Sequence, residues 1–320
     1  MRILVTGGCG YIGSILTPTL LAEGHEVIVV DTMWFGNYLP DNEKLTVIQA
    51  DVRDIDAIPM KGVDVVIHLA NIANDPCGDL NAKLAWEVNA LATMTLVEKA
   101  IANGVGQFLY ASSGSVYGVK DEPQVTEDLS LVPISDYNKT KMISERILLS
   151  YKDDILIHCI RPATVCGYSP RMRLDVSVNM LTMQALSNKK ITVFGGKQVR
   201  PNVHIKDIVG IFQHFMEKRE AATGIFNAGF ENISILDIAN MVVEKVPAEI
   251  IVTESNDPRS YRLNADKLRA TGFTPKYGVQ DGINDVIEAF GAGTLANEER
   301  YYNIKTMKTL PELQEAIASK

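Results

Sequence analysis

The sequence predicts an α/β fold: a Rossmann-type doubly wound parallel sheet followed by a smaller mixed α/β C-terminal domain. Three observations predict it. An apolar run at residues 3–6 passes directly into Gly7, Gly8, Gly10 and Gly13 and then a helical pattern, the layout that opens a βαβ unit. Short continuous apolar runs then alternate with helical patterns through about residue 166, as parallel strands covered on both faces require. After Cys166 that alternation breaks into helices separated by short strands.

In chain order, residues 3–6 are the first strand. The helix after it runs through Leu16, Leu20 and Leu21 and is closed by Gly24. Residues 27–30 form a second strand ending at Asp31, and further strands fall at 45–49, 63–69, 107–112 and 155–161. The clearest helix spans 85–103, with Val88, Leu91, Ala92, Leu96, Ala100 and Ile101 on one side. Beyond residue 166 helices are expected at 176–186, 206–218, 235–246 and 282–290, with strands at 191–194 and 250–253. This divides the chain into a nucleotide-binding domain at 1–166, to which 195–230 returns, and a mainly substrate-binding domain at 167–320. The tail after Gly291, with an amphipathic stretch at 310–317, carries no chemical signal.

The length of 320 residues suits one large or two modest domains. Hydrophobic residues are 46% and charged residues 22%, the balance of a soluble globular protein. A net charge of −8 argues against general binding of nucleic acid or anionic membrane, so an anionic ligand must be met by locally placed arginines. No apolar run is long enough to span a bilayer. Cys9, Cys77, Cys159 and Cys166 lack metal-ligand spacing and read as reduced thiols of a cytoplasmic protein with no metal site. Residues 1–5 enter a strand at once and leave no room for a signal peptide.

Gly8, Gly10 and Gly13 satisfy Gly-x-Gly-x-x-Gly, and Gly7, Gly10 and Gly13 the wider Gly-x-x-Gly-x-x-Gly spacing. The chemistry behind both is a tight turn, a backbone close to pyrophosphate and a helix N-terminus aimed at that anion. Asp31, at the end of the next strand, converts a bare glycine turn into a dinucleotide site by accepting from adenosine ribose hydroxyls. Thr32, Met33 and Trp34 follow, with no arginine to receive a 2′-phosphate, which favours NAD over NADP. Asp51 and Val52 end the third strand; Asp51 either reads the adenine amino group or caps a helix.

Tyr137 and Lys141 lie four residues apart and share a face on a helix. Tyrosine is a poor base because its ordinary pKa is roughly 10, and a nearby ammonium favours the phenolate. Such pairs arise often by chance. Behind a dinucleotide loop and the cluster Ser112, Ser113 and Ser115, this one becomes a catalytic proposal.

Residues 6–13, His68-Leu69-Ala70, Asn89, residues 112–118 and 137–141, Arg161-Pro162 and residues 200–207 follow one another over nearly the whole chain. Together they resemble the extended short-chain dehydrogenase/reductases of the NAD-dependent nucleotide-sugar epimerase/dehydratase family. The resemblance implies cofactor contacts from Gly7, Gly10, Tyr11, Ile12, Gly13, Asp31, Asp51, Val52, Leu69, Ala70, Asn71, Asn89, Ser112, Tyr137 and Lys141. It implies that Tyr137 takes a proton from a sugar hydroxyl while the carbon gives hydride to the nicotinamide. Lys141 would bond the nicotinamide ribose and hold the Tyr137 pKa down, and Ser113 would bond the same hydroxyl. The plainer roles are a strand-end turn for Ser113, holding nearby backbone for Asn89, and strand-end structure for His68 and His204. Arg200 and Arg259 match positions that meet the nucleotide diphosphate through paired donors, Asn179 adds a donor, and Thr164 belongs to the same substrate set. Arg171 and Arg173 either flank a loop over the sugar or form surface ion pairs. The resemblance also implies a homodimer, paired through the helices at 85–103 and 137–151.

Gly114 and Ser115 stand where the family's 4,6-dehydratases carry an Asp-Glu pair and its decarboxylases a glutamate. Neither residue serves as acid or base at neutral pH, and no cysteine stands near Ser115 as 3,5-epimerisation would want. What remains is transient oxidation at one carbon, usually C4. Return of hydride to the other face is epimerisation, and release of the ketone is net oxidation. Residues 161–175 lack the Tyr-Phe-Asn of UDP-galactose 4-epimerases after Arg161. With residues 257–261 they are similar to a branch that includes GDP-heptose 4-dehydrogenases. The expected function is an NAD-dependent nucleotide-sugar 4-epimerase, with a net 4-dehydrogenase or 4-keto-reductase as the alternative. A non-catalytic NAD-binding regulator is the reading from another class, and the retained Tyr137 and Lys141 argue against it.

Overall fold

The computed structural model describes residues 1–219, 222–254, 260–311 and 313–314. Strand β1 (Arg2–Thr6), helix α1 (Gly13–Ala22), β2 (Glu26–Asp31), β3 (Leu45–Gln49) and β4 (Val65–His68) open the chain. Helices α2 (Asp75–Gly78), α3 (Ala82–Trp86) and α4 (Ala92–Ala102) lead to β5 (Gln107–Ala111), and α5 (Asp136–Ser150) leads to β6 (Leu156–Pro162). The second half contains β7 (Thr164–Cys166), α6 (Ser177–Asn188), β8 (Lys190–Phe194), β9 (Val199–His204), α7 (Ile205–Glu217), β10 (Gly224–Ala228) and β11 (Glu231–Ser234). It closes with α8 (Ile235–Lys245), β12 (Glu249–Thr253), α9 (Asp266–Ala270), α10 (Val279–Gly291) and α11 (Asn303–Met307).

Seven strands make one parallel sheet in the order β3-β2-β1-β4-β5-β6-β10. Apart from the half-exposed edge strand β3, their apolar runs are buried on both faces. One face packs on Leu16, Leu20, Phe212 and Phe215, the other on Leu96, Val97, Ala100 and Leu148. The strand order reverses between β1 and β4, and this reversal opens the crevice where doubly wound sheets bind ligands. Two small sheets, β11-β9-β7 and β12-β8, complete the second half. There α6, α8 and α10 close over Leu181, Val193, Ile238 and Ile283.

Two features depart from the sequence expectation, a π turn and the packing of the chain end. The helix at 85–103 is interrupted by a π-helical turn at Glu87–Leu91, where the Asn89 carbonyl accepts from Thr93 Oγ1 and Ser144 Oγ, both at 2.7 Å. Strand β10 pairs with β6 and α7 packs against the large sheet. The chain end does so too: Met307 and Leu313 are buried in the core beneath the large sheet. The amphipathic stretch at 310–317 signals a packed face, but its partners lie on distant strands, which local spacing does not name. Among the described residues no helix is long and apolar enough to cross a membrane.

Candidate active site

The glycine loop is built by close approach. Gly7 has φ +74°, and a Cβ there would lie 2.5 Å from the Ala70 nitrogen. A Cβ on Gly8 would lie 2.7 Å from the Val29 side chain, and one on Gly13 would strike the Gly8 carbonyl. The loop therefore turns sharply, seats on β2 and β4 and starts α1 against itself, which are the demands of a pyrophosphate loop. No acidic residue occupies the first turn of α1, so its N-terminal dipole is left to an anion. Asp31 accepts from the Cys9 and Met33 nitrogens at 3.0 and 2.8 Å. Burial raises its pKa, while those bonds and the Arg171 charge lower it.

A cleft of about 560 Å³ runs from this loop past Leu69 and Asn71 to Ser113, Tyr137, Lys141, Thr164, Arg173 and Arg200, a size ordinary for ligand sites of about 300–1,000 Å³. Helix α5 presents Tyr137 and Lys141. Its cap is Ser135, whose Oγ accepts from the Asn138 nitrogen at 3.1 Å. Ser113 Oγ accepts from the Ser115 nitrogen at 3.2 Å and meets Ser115 Oγ at 2.7 Å, and Ser115 Oγ donates to Asn138 Oδ1 at 2.5 Å. Ser113 thus closes the strand-end turn, and its hydroxyl also lowers the Tyr137 pKa.

The electrostatics correct one expectation. Burial raises the Tyr137 pKa, the Ser113 bond and the Arg173 charge lower it, and the Asp75 carboxylate raises it. Lys141 is not among the charges acting on Tyr137; its Nζ donates to the Ala111 carbonyl at 2.5 Å and lies over the Tyr110 ring at 4.6 Å. With its oxygen turned toward the lysine, the Asn71 amide accepts from Nζ at 3.1 Å. Burial pushes the Lys141 pKa down to about 7, against the pull of Glu145.

Other site residues make structural contacts. Asn179 is fully buried; its Oδ1 accepts from the Gly167 nitrogen and its Nδ2 donates to Tyr11 Oη and the Arg173 carbonyl, so its amide is committed to structure and not to diphosphate. Arg171 is buried in the cleft and is not a surface ion pair. It stacks on Phe35 at 3.9 Å near the glycine loop and bonds Asn303 Oδ1 at 2.7 Å. Arg173 pairs with Asp175 at 2.9 Å inside the cleft. Asp51 is engaged by Arg53 in the turn after β3, and Val52 is buried in the core. Asn89 holds the Ile72 backbone and Thr140, Ala70 packs on the core, and Ser112 Oγ donates to Glu145 Oε1 at 2.5 Å. Tyr11, Ile12 and Gly10 line the cleft, and Arg200 donates to the Val199 carbonyl at 3.3 Å. Arg259 lies outside the described residues. His68 bonds Thr6 and Thr93, and His204 bonds Asp285.

Sequence reasoning missed a buried network behind the site. Arg161 makes a bidentate pair with Glu145 at 2.8 and 2.7 Å and donates to Tyr117 Oη, which donates to Asn227. Glu145 was findable, since it sits one helical turn beyond Lys141. Asp75, Asp175 and Asn303 left no local signal.

A doubly wound sheet, a pyrophosphate loop at its switch point and a converging serine, tyrosine and lysine define a dinucleotide-dependent enzyme of the short-chain oxidoreductase type. The profile of the NAD dependent epimerase/dehydratase family matches residues 3–229; the chain belongs to this family, and its cofactor is NAD. A UDP-glucose 4-epimerase of Corynebacterium glutamicum is 27% identical over 95% of this chain and 99% of its own length. An uncharacterized UDP-glucose epimerase of Bacillus subtilis, YtcB, is 32% identical over 90% of this chain and 97% of its own. The solved structure of MoeE5 in complex with UDP-glucuronic acid and NAD superposes with a TM-score of 0.82 at 27% identity, covering 92% of this chain and 100% of that one.

Proposed function

We propose that this chain is a nucleotide-sugar 4-epimerase that interconverts two nucleotide-diphosphate hexoses or heptoses differing at C4. The observation that carries the reading is the convergence of Ser113, Tyr137 and Lys141 in a cleft whose 114–115 positions offer no acid. A side chain on Gly114 would lie 2.8 Å from Leu263, and Ser115 is held by Ser113 and Asn138. Bound NAD supplies the hydride acceptor and donor. Tyr137 Oη takes the C4 hydroxyl proton and later returns it, and Ser113 Oγ donates to the same sugar oxygen. Arg173 stabilises charge on Tyr137. Gly7, Gly10 and Gly13 cradle the pyrophosphate, and Asp31 accepts from the adenosine ribose. Thr164 and Arg200 serve the sugar and its diphosphate. The kinship with UDP-glucose 4-epimerases supports this reading.

Incubation with UDP-, GDP-, CDP- and dTDP-sugars is expected to yield a C4 epimer without accumulating NADH. Tyr137→Phe is expected to lower kcat by about 10²–10⁴-fold while leaving NAD bound; normal turnover in that variant would support a non-catalytic role. Steady NADH release with a keto-sugar would establish the net dehydrogenase instead. One observation favours elimination as a second reading: Asp75 brings a carboxylate into the cleft beside Tyr137. A 4-keto-6-deoxy product would put that reading in place of epimerisation.

The same reading has two copies pairing through α3–α4 and α5, where Trp86 and Leu91 are 37% and 52% exposed. Light scattering is expected to give a dimer, and Leu91→Glu a monomer. A monomeric parent protein would overturn the pairing.

A further inference from the structure

We propose that Arg171 is a cofactor-binding residue, its guanidinium laid across Phe35 to meet the pyrophosphate of the dinucleotide. Both side chains line the cleft together with Gly10 and Gly13. Arg171 is only 3% exposed, its guanidinium carbon lies 3.9 Å from the Phe35 ring centre, and its Nε is buried without a partner among the described residues. Among the described residues its two bonds go to neutral acceptors, the Met172 carbonyl at 3.1 Å and Asn303 Oδ1 at 2.7 Å.

The nearby carboxylates are committed elsewhere. Asp175 pairs with Arg173, and Asp31 accepts from the Cys9 and Met33 nitrogens. A guanidinium buried without a hydrogen-bonded counter-ion is costly. A diphosphate between it and the glycine loop removes that cost and completes the set of donors, with backbone N–H groups and the α1 terminus on one side and the cation on the other. The neutral contacts serve to hold the cation in place: the phenyl face and Asn303 fix its plane without neutralising it. Asn303 comes from the far end of the chain, so the tail that carries no chemical signal in the sequence supports the cofactor site. Asp31 beside it disfavours a 2′-phosphate, which leaves the diphosphate as the anion Arg171 addresses.

The inference rests on NAD as cofactor and not on which sugar is turned over, so it is tested by binding without substrate. NAD, ADP and adenosine would be titrated calorimetrically into protein freed of cofactor. Arg171→Met is expected to weaken NAD and ADP by about 10- to 100-fold, the worth of a charged hydrogen bond, and to leave adenosine within about twofold on the same reasoning. Asn303→Asp, which sets a carboxylate against Nη2 with little change of shape, is expected to weaken NAD and ADP in the same direction; it decides the matter if Arg171→Met does not fold. Unchanged NAD and ADP affinity in the folded variants would overturn the proposal. An equal loss for adenosine would also overturn it, because the residue would then shape the cleft and not bind the phosphates.

Discussion

Lys141 is a cation that its surroundings barely tolerate. Burial brings its pKa to about 7 from an ordinary 10.5. Between these two pH values the unfolded chain holds the proton and the folded chain does not. The unfolded state therefore binds more protons, and stability rises with pH by up to about 1.4 kcal/mol per unit. Below about pH 7 both states are protonated and the dependence vanishes. Urea unfolding of the cofactor-free protein between pH 7 and 9 should show this rise, and Lys141→Met should flatten it. Equal slopes in the two proteins would refute the assignment. The same burial acts on Tyr137 in the opposite sense for its chemistry, raising the pKa of the base, with Ser113 and Arg173 opposing it. The residue identities were legible from a four-residue spacing. The direction of the lysine was not, because spacing places it on a face without choosing which acceptor beneath that face it meets.

Helix α5 is the element that joins chemistry to stability. Ser135 caps it, Tyr137 and Lys141 face the cleft, and Glu145 continues the same face into the buried pair with Arg161. Glu145→Gln would leave the Arg161 charge buried without its partner, and a loss of about 3–5 kcal/mol in chemical denaturation is expected. A Glu145→Gln, Arg161→Met double variant should recover much of it, since replacing both charges is far less costly than stranding one. A loss below about 1 kcal/mol, the scale of an exposed pair, would show that the pair is not acting as a buried one. The helix itself was legible from its motif. The π turn before α4 was not, because the apolar side chains keep a helical rhythm through it while the backbone widens at Asn89.

At the scale of the whole molecule, the chain end belongs to the fold's first half. Leu313 is completely buried and Met307 nearly so, beneath the large sheet. Leu313→Ala should therefore cost about 2–5 kcal/mol, read as a lower thermal midpoint; a change within about 0.5 kcal/mol, as at a surface site, would place the tail outside the core. The parallel sheet and the glycine turn with Asp31 were determined by the sequence alone, and the Ser113, Tyr137 and Lys141 set was legible through its resemblance to the family's motifs. The sheet and the turn are written in periodicity or spacing along a contiguous stretch, which backbone geometry converts directly into position. Arg171 beside Phe35 and Asn303, Asn179 spent on Tyr11 and Gly167, and Arg173 as the cation acting on Tyr137 were decided only by the tertiary structure. Arg171 and Asn303 are 132 residues apart, and Tyr11 and Asn179 168. Contacts of that separation depend on how layers close over one another, and local spacing holds no record of it.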